Sequence, residues 1–450
     1  MRSIKRWAKV SAVLAAAALA LSACGGGSAD KKAGGSTGTK ASGELKVFAA
    51  YDTTNWNPSN TSSALAVGAN LQVVEGLYEF DFSKFKAHKA LAAEDEPTKV
   101  NDTTYEVKLR DGAKFSTGDA VSSKDVVSSY KRIVDGDKDS TGAVQPSSYA
   151  AFLTAISGIE AKDDSTVTIK LTHAIDNLKE RLALIKVVPS KATFDELTKM
   201  PVGSGPYKYD TITDTTQDLS VNEHYNGANP ATVSKIHYDN SRDATARLTA
   251  AVAGQTDVVE ALDPAGIEKV KAAGWEVKDA TAYGIAMMTF NTTKAPFKDK
   301  RVRQALLTAI DTQTMIKTAL NGAGKEPTSF LPDYNDQYKK ATTQFSFDVA
   351  KAKKLLADAG VAAGTEISVL TTTDTWIAAM GPQIKQNFEA LGLKVNLNNV
   401  ASADLWNNNV AQGKFDVVVA PGDASVYGAD PGVLIKGWFF SELWMKTVSV

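Results

Sequence analysis

The 450-residue sequence is poor in the residues on which many functions depend. Cys24 is its single cysteine, so no disulfide can form within the chain and the fold must rest on its hydrophobic core. None of the histidines, His88, His173, His224 and His237, sits at zinc-ligand spacing from another histidine or the cysteine, so no metal site is expected. The net charge is −1 with no basic block, which argues against a nucleic-acid partner. No run beyond the N-terminus approaches the roughly 20 apolar residues of a membrane-spanning helix. Gly-x-Ser-x-Gly, Gly-x-x-x-x-Gly-Lys-Ser/Thr and His-Glu-x-x-His are all missing, and Gly203-Ser204-Gly205-Pro206 lacks the spacing of a nucleophile elbow. The acidic runs Asp163-Asp164 and Glu94-Asp95-Glu96 lie in polar connecting stretches and read as solvated turns. These absences put a binding protein ahead of an enzyme, and no cofactor is expected.

What is present begins at the N-terminus. Arg2, Lys5, Arg6 and Lys9 form a basic head, and residues 10–20 are apolar except for Ser11. Leu21-Ser22-Ala23-Cys24 follows. A basic head, a short apolar stretch and small residues before a cut site describe a secretory leader, here residues 1–23. Leu-Ser-Ala-Cys is similar to the lipobox of bacterial lipoproteins, which implies lipidation of Cys24 and a membrane anchor on the extracytoplasmic face. Residues 25–43 are mainly glycine, serine, threonine, alanine and lysine, with no large apolar side chain. Such a segment cannot pay for folding, and it reads as a flexible tether with an end-to-end span of about 25 Å.

Order is expected from Glu44. Residues 45–49 read as a strand, and 104–109 and 166–171 alternate apolar and polar as half-buried strands do. In 301–310 the apolar positions Val302, Ala305, Leu306, Ala309 and Ile310 share one helix face, with Asp299 just upstream as an N-cap. From Glu366 the pattern is strand 366–371, helix 382–391 with proline at its start, strand 393–397, helix 403–411 and the apolar strand 415–420. That alternation predicts an α/β fold with a parallel sheet covered on both faces. Ligands of such sheets bind beyond the carboxyl ends of the strands, here in the loop 421–428.

Several segments resemble those of the family 5 bacterial extracellular solute-binding proteins, the peptide, dipeptide and nickel receptors of ABC importers. They are Val74-Glu75-Gly76-Leu77-Tyr78, the run from Tyr105 to Gly118 with Ser123-Lys124-Asp125-Val126-Val127, and Gly203-Ser204-Gly205-Pro206-Tyr207. Asn222-Glu223-His224-Tyr225, the run from Phe297 to Leu306 with Ala309-Ile310-Asp311, and the run from Ala352 to Gly360 complete the set in the family's order. Structural roles account for the Arg-Val-Arg-Gln-Ala-Leu helix and the Gly203–Tyr207 turn better than ligand contacts do. The resemblance implies a two-lobed, type II periplasmic-binding-protein-like fold with an inserted α+β domain. Residues 44–79 and 199–283 would form lobe I, 80–198 domain II and 284–450 lobe III, with ligand held between lobes I and III. It also implies a monomer that works with a membrane permease.

Carried over by position, Ser62, Ser63 and Ala64 would meet a peptide backbone. Asp423, or Tyr427 in the same loop with Ser425, would stand where the family places a partner for the peptide ammonium. Trp56, Trp376 and Trp406 would line the cleft. Val410 and Val419 occupy positions where some peptide receptors carry arginine for the peptide carboxylate, which speaks against a ligand of fixed length. Family members continue well past the segment matching Asp430-Pro431, so lobe III is expected to lack its last strands at Val450. The resulting expectation is a lipid-anchored receptor for a small solute, most of all an oligopeptide. The alternatives are a surface hydrolase, or a sensor or adhesin lipoprotein without a transport role.

Overall fold

The computed structural model describes residues 41–423, apart from 62, 82–85, 263, 278–282, 336–337, 402–403 and 411, together with residue 435. Cys24, expected to be lipidated, and Ser62, Ser425 and Tyr427 lie outside the described residues, as do the side chains of Trp406 and Asp423.

The first strand, β1 (Glu44–Ala49), enters a body that the chain then leaves and rejoins. A short helix, α1 (Ala64–Asn70), follows it. Next comes an antiparallel sheet of β2 (Thr98–Asn101), β3 (Thr104–Lys108), β4 (Ile156–Ala161) and β5 (Thr166–Leu171), in spatial order β2-β3-β5-β4. Helix α2 (Ser123–Val134) covers one face, with Val126, Tyr130 and Ile133 in the same buried cluster as Val107, Ile159, Val167 and Ile169. A reciprocal capping box between Ser122 and Asp125 starts that helix. This antiparallel unit lies within residues 80–198, the segment expected to form domain II.

The chain returns with β6 (Tyr207–Ile212), β7 (Thr216–Val221), β8 (Lys235–Asn240) and, after helix α3 (Ala244–Val252), β9 (Val258–Val259). The sheet runs β6-β7-β8-β1-β9, and β1 pairs in parallel with both β8 and β9. Three strands of lobe I therefore end at one edge.

The segment expected to form lobe III holds β10 (Gly284–Phe290), α4 (Lys300–Thr308), α5 (Val349–Asp358), β11 (Glu366–Thr372), α6 (Thr375–Glu389), β12 (Lys394–Val400) and β13 (Val417–Asp423). Its sheet order is β10-β13-β11-β12, with β13, β11 and β12 parallel and β10 antiparallel at the edge. The near-continuous apolar run of β13 follows from burial on both faces. Val417 and Val419 join one cluster, and Val418 and Ala420 join another with Leu405, Val410 and Phe415.

Several boundaries differ from the sequence reading, three of them around the last strand and the helices beside it. Helix α6 starts at Thr375 and carries Pro382 inside it, because Ile377, Met380, Ile384 and Phe388 extend one buried face across the proline. Strand β13 continues through Pro421 to Asp423, so these residues pair with Ala286 to Gly284 and are not loop. The helical residues Leu405–Val410 form a π-helical turn and not an α-helix.

Candidate functional site

The carboxyl ends of β1, β8 and β9 place three short loops side by side. Ser241 N–H donates to the carbonyl of Ala49 at 3.1 Å, and Ala50 N–H donates to Glu260 Oε2 at 3.1 Å. Arg247, on α3 and only 2% exposed, locks two of these loops from below. Its Nε, Nη1 and Nη2 donate to the carbonyls of Glu260 at 3.0 Å, Ser241 at 2.7 Å and Ala261 at 2.9 Å. Ala261 is held at φ 48°, a left-handed conformation that L residues seldom adopt. At the rim, Arg242 Nε donates to Asp52 Oδ1 at 2.7 Å.

The second sheet has parallel strand ends of its own. Asp374 follows β11 and stands at the N-cap of α6, yet its carboxylate makes no cap bond. Its Oδ2 accepts from Thr372 Oγ1 at 2.7 Å. Tyr51 of lobe I, 37% exposed, lies within the fields of both Asp374 and Glu260. Burial first, then these two carboxylates, push its hydroxyl above the usual phenol range, while Arg247 acts the other way. The Tyr51 hydroxyl is therefore a protonated donor at neutral pH. Among the described residues neither Glu260 nor Asp374 makes an ion pair, and each keeps one carboxylate oxygen without a hydrogen bond.

The residues singled out from sequence scatter around this edge. Ser63 is the half-buried N-cap of α1, its hydroxyl makes no cap bond, and Ala64 is exposed beside it. Trp376 is half-buried against the lobe III core, two residues beyond Asp374. Trp56 is not at a cleft surface. It is 2% exposed, packs edge-on to Tyr209 at 5.7 Å in the lobe I core, and its backbone N–H bonds to Thr198. Val410 and Val419 are buried in the two lobe III clusters, where an arginine would not fit. Sequence reasoning missed Glu260, Asp374 and Arg247. The usable signal was position: Glu260 and Asp374 each come one or two residues after the last residue of a parallel strand.

The family-like segments meet elsewhere, at the junction of lobe I and domain II. Arg110 donates from both Nη atoms to Glu75, at 3.1 Å each, and from Nε to Asn226 at 2.9 Å. Its guanidinium lies 5.6 Å from the Tyr225 ring centroid. Glu75 is 6% exposed, and burial pushes its carboxyl above the usual range although Arg110 opposes this. Gly203 and Gly205 lie against the Gln72–Val73 backbone, where an added Cβ would stand 2.1 Å from Val73 O and 2.6 Å from Gln72 O. In lobe III, Asp299 caps α4 by accepting from Arg301 N–H at 2.8 Å, and Arg301 Nη1 reaches the Asp358 carbonyl at the end of α5 at 2.7 Å. Domain II also reaches back to the loop before α1: Tyr149 donates to the Thr61 carbonyl at 2.7 Å and Ser147 to the Ser59 carbonyl at 2.5 Å.

Residues 86–441 match the family described as bacterial extracellular solute-binding proteins, family 5, middle. The chain is 29% identical over 400 residues to heme-binding protein A of Haemophilus influenzae, covering 82% of this chain and 71% of that protein. It is 26% identical over 289 residues to di/tripeptide-binding protein 1 of Pseudomonas aeruginosa, covering 59% of this chain but only 54% of that protein. Among solved structures, the periplasmic binding protein DppA of Helicobacter pylori in complex with the peptide STSA superposes with a TM-score of 0.76. Its identity to this chain is 21%, covering 90% of this chain and 83% of that one, which establishes a shared fold.

Proposed function

The chain belongs to the bacterial extracellular solute-binding proteins of family 5, and on that premise we propose that it is the solute receptor of an ABC importer. It captures a small solute, an oligopeptide before other classes, between lobes I and III and delivers it to a membrane permease. Residues 44–79 and 199–283 act as lobe I, 80–198 as domain II and the chain from 284 as lobe III. Ser62, Ser63 and Ala64 meet the solute from lobe I, and Trp376, Trp406, Asp423, Ser425 and Tyr427 from lobe III. Trp56 supports the first of these loops from the core. Cys24 carries the lipid anchor, and residues 25–43 let a monomeric body reorient at the outer face of the membrane.

The observation that carries this reading is the match of residues 86–441 to the solute-binding family, supported by the two separate parallel sheets whose strand ends are the usual place for a ligand. Closure follows ligand because the closed state makes contacts that the open state lacks. The test is thermal denaturation of the purified full chain with a library of two- to five-residue peptides. A solute at about 100 times its Kd stabilises the folded state by about 2.7 kcal/mol and raises Tm by several degrees. A flat Tm across peptides, free amino acids and nickel–histidine complexes would sink the receptor reading. Replacement of Cys24 by serine should release the protein from the membrane fraction, and retention there would refute the anchor.

A further inference from the structure

Between Leu320 and α5 the described residues form neither helix nor strand. Four of the eleven large hydrophobic side chains exposed among the described residues, Phe330, Tyr334, Phe345 and Phe347, lie in this stretch, so they are not the scattered single residues that any surface shows. Phe345 is 38% and Phe347 48% exposed, and neither joins a buried cluster. The backbone around them is tied down. Ala341 N–H and Gln344 Nε2 both donate to the Thr328 carbonyl, at 2.9 and 3.2 Å, and Gln344 Nε2 also reaches the Ala341 carbonyl at 2.8 Å. Residues 341–344 thus make a turn with Lys340 at one end and Phe345 at the other. Beyond Phe347, Asp348 N–H donates to the Thr308 carbonyl at 2.9 Å, and Asp348 Oδ1 caps α5 by accepting from Lys351 N–H at 2.9 Å. Charge is one-sided here. From Tyr338 to Leu355 the chain carries Lys339, Lys340, Lys351, Lys353 and Lys354 against the single acid Asp348, in a protein whose net charge is −1. All five lysines are exposed, and among the described residues only Lys354 makes an ion pair, with Asp358 at 2.6 Å. The last three stand on the first turns of α5, where the helix dipole adds to the positive field.

We propose that this stretch docks on an anionic lipid surface. Phe345 and Phe347 enter the boundary between headgroups and acyl chains, and the lysines on either side of them meet the headgroups. Interfacial binding of this kind draws on buried apolar area together with attraction to anionic lipid, and it needs no shaped pocket. Two exposed phenylalanines between two basic groups supply both parts. The tether gives the contact its use. Residues 25–43 span about 25 Å, so a body anchored at Cys24 never leaves the neighbourhood of the membrane, and a weak second contact is enough to fix which face it turns inward. The proposal does not depend on what the lobes bind, so its failure would leave the receptor reading untouched.

The test is sedimentation with vesicles of the chain from Gly25 onward, which lacks the apolar leader and Cys24. Every strand, helix and buried cluster of the described structure begins at Glu44 or later, so this chain retains the described fold. One set of vesicles is phosphatidylcholine with phosphatidylglycerol, the other phosphatidylcholine alone. The parent should sediment with the anionic set, and added salt should release it. Phe345→Ser with Phe347→Ser should weaken the association by about 10-fold. Lys339→Gln with Lys340→Gln should weaken it by about 5-fold per lysine. All four side chains are exposed, so Tm should not move in either pair, and it is measured to show that both fold. No association with the anionic vesicles, equal association with both sets, or association unchanged in both pairs overturns the proposal. Cross-linking of a photoreactive residue at position 345 to a membrane protein in cells, with no binding to vesicles, would assign the surface to a protein and overturn the lipid.

Discussion

Arg110 and Asp374 are both charged side chains at a boundary between two parts of the chain, and their surroundings are opposite. Arg110, between domain II and lobe I, has its donors matched by Glu75, Asn226 and the Ala90 carbonyl, with the Tyr225 ring alongside. Asp374, at the N-cap of α6, accepts from Thr372 Oγ1, makes no cap bond and has no cation paired to it among the described residues, and its charge helps to push the Tyr51 hydroxyl up. A closed set of bonds fixes two bodies as one piece. An open set leaves free energy to be gained when something binds. The first boundary is therefore architecture and the second is function, and the difference can be broken experimentally in three ways.

The largest effect should come at the closed boundary. Arg110→Met keeps much of the side-chain length but leaves the Glu75 carboxylate buried without its partner. Removing one member of a buried pair costs about 3–5 kcal/mol. Urea unfolding should show that loss, and limited proteolysis should release domain II from lobe I. If Arg110→Met unfolds at the same urea concentration as the parent, the junction does not depend on this pair.

This contrast also explains what could be read in advance. Glu75, Arg110, Gly203, Tyr225 and Arg301 stand in recognisable segments because each must satisfy a fixed local geometry: a bidentate pair, a glycine against a neighbouring carbonyl, a helix cap. The strand–helix alternation after Glu366 was legible for the same reason, since burial on both faces leaves an apolar run. Glu260 and Asp374 were not legible. They belong to no local pattern, and only the sheet topology shows that each follows the end of a parallel strand. Trp56 misled because an aromatic side chain in a polar stretch reads equally as cleft wall or core, and Tyr209, its partner, is distant in sequence. Pro382 misled because a helix start is its usual place, while a long buried face can carry a helix through it.

A smaller effect is expected where the two boundaries touch. Tyr149 of domain II donates to the Thr61 carbonyl, in the loop that leads to Ser63. Tyr149→Phe removes that bond and leaves the carbonyl buried, at a cost of about 1–3 kcal/mol. If the closed junction positions the solute loop, solute affinity should fall as well as Tm. A drop in Tm with unchanged affinity would confine domain II to a structural role.

The smallest effect separates paired from unpaired carboxylates by pH. Asp218, on β7, accepts from His237 Nδ1 at 2.8 Å and pairs with Lys235 at 2.9 Å. Lys235 first and His237 second hold its carboxyl down, at about 2 against 3.8. A group whose pKa is depressed on folding stabilises the fold above its unfolded value, and that contribution disappears as pH falls through the folded one. Asp218→Asn should therefore lower Tm by a constant amount above about pH 5, and the gap from the parent should close towards pH 2. Asp374→Asn should behave differently. Among the described residues no cation pairs with its carboxylate, so its removal takes away no ion pair and Tm without solute should stay level at neutral pH. A Tm loss in Asp374→Asn that matches Asp218→Asn and fades over the same acid range would show that Asp374 is a paired structural acid. The cleft would then be as closed as the junction, and the contrast between the two boundaries would fall.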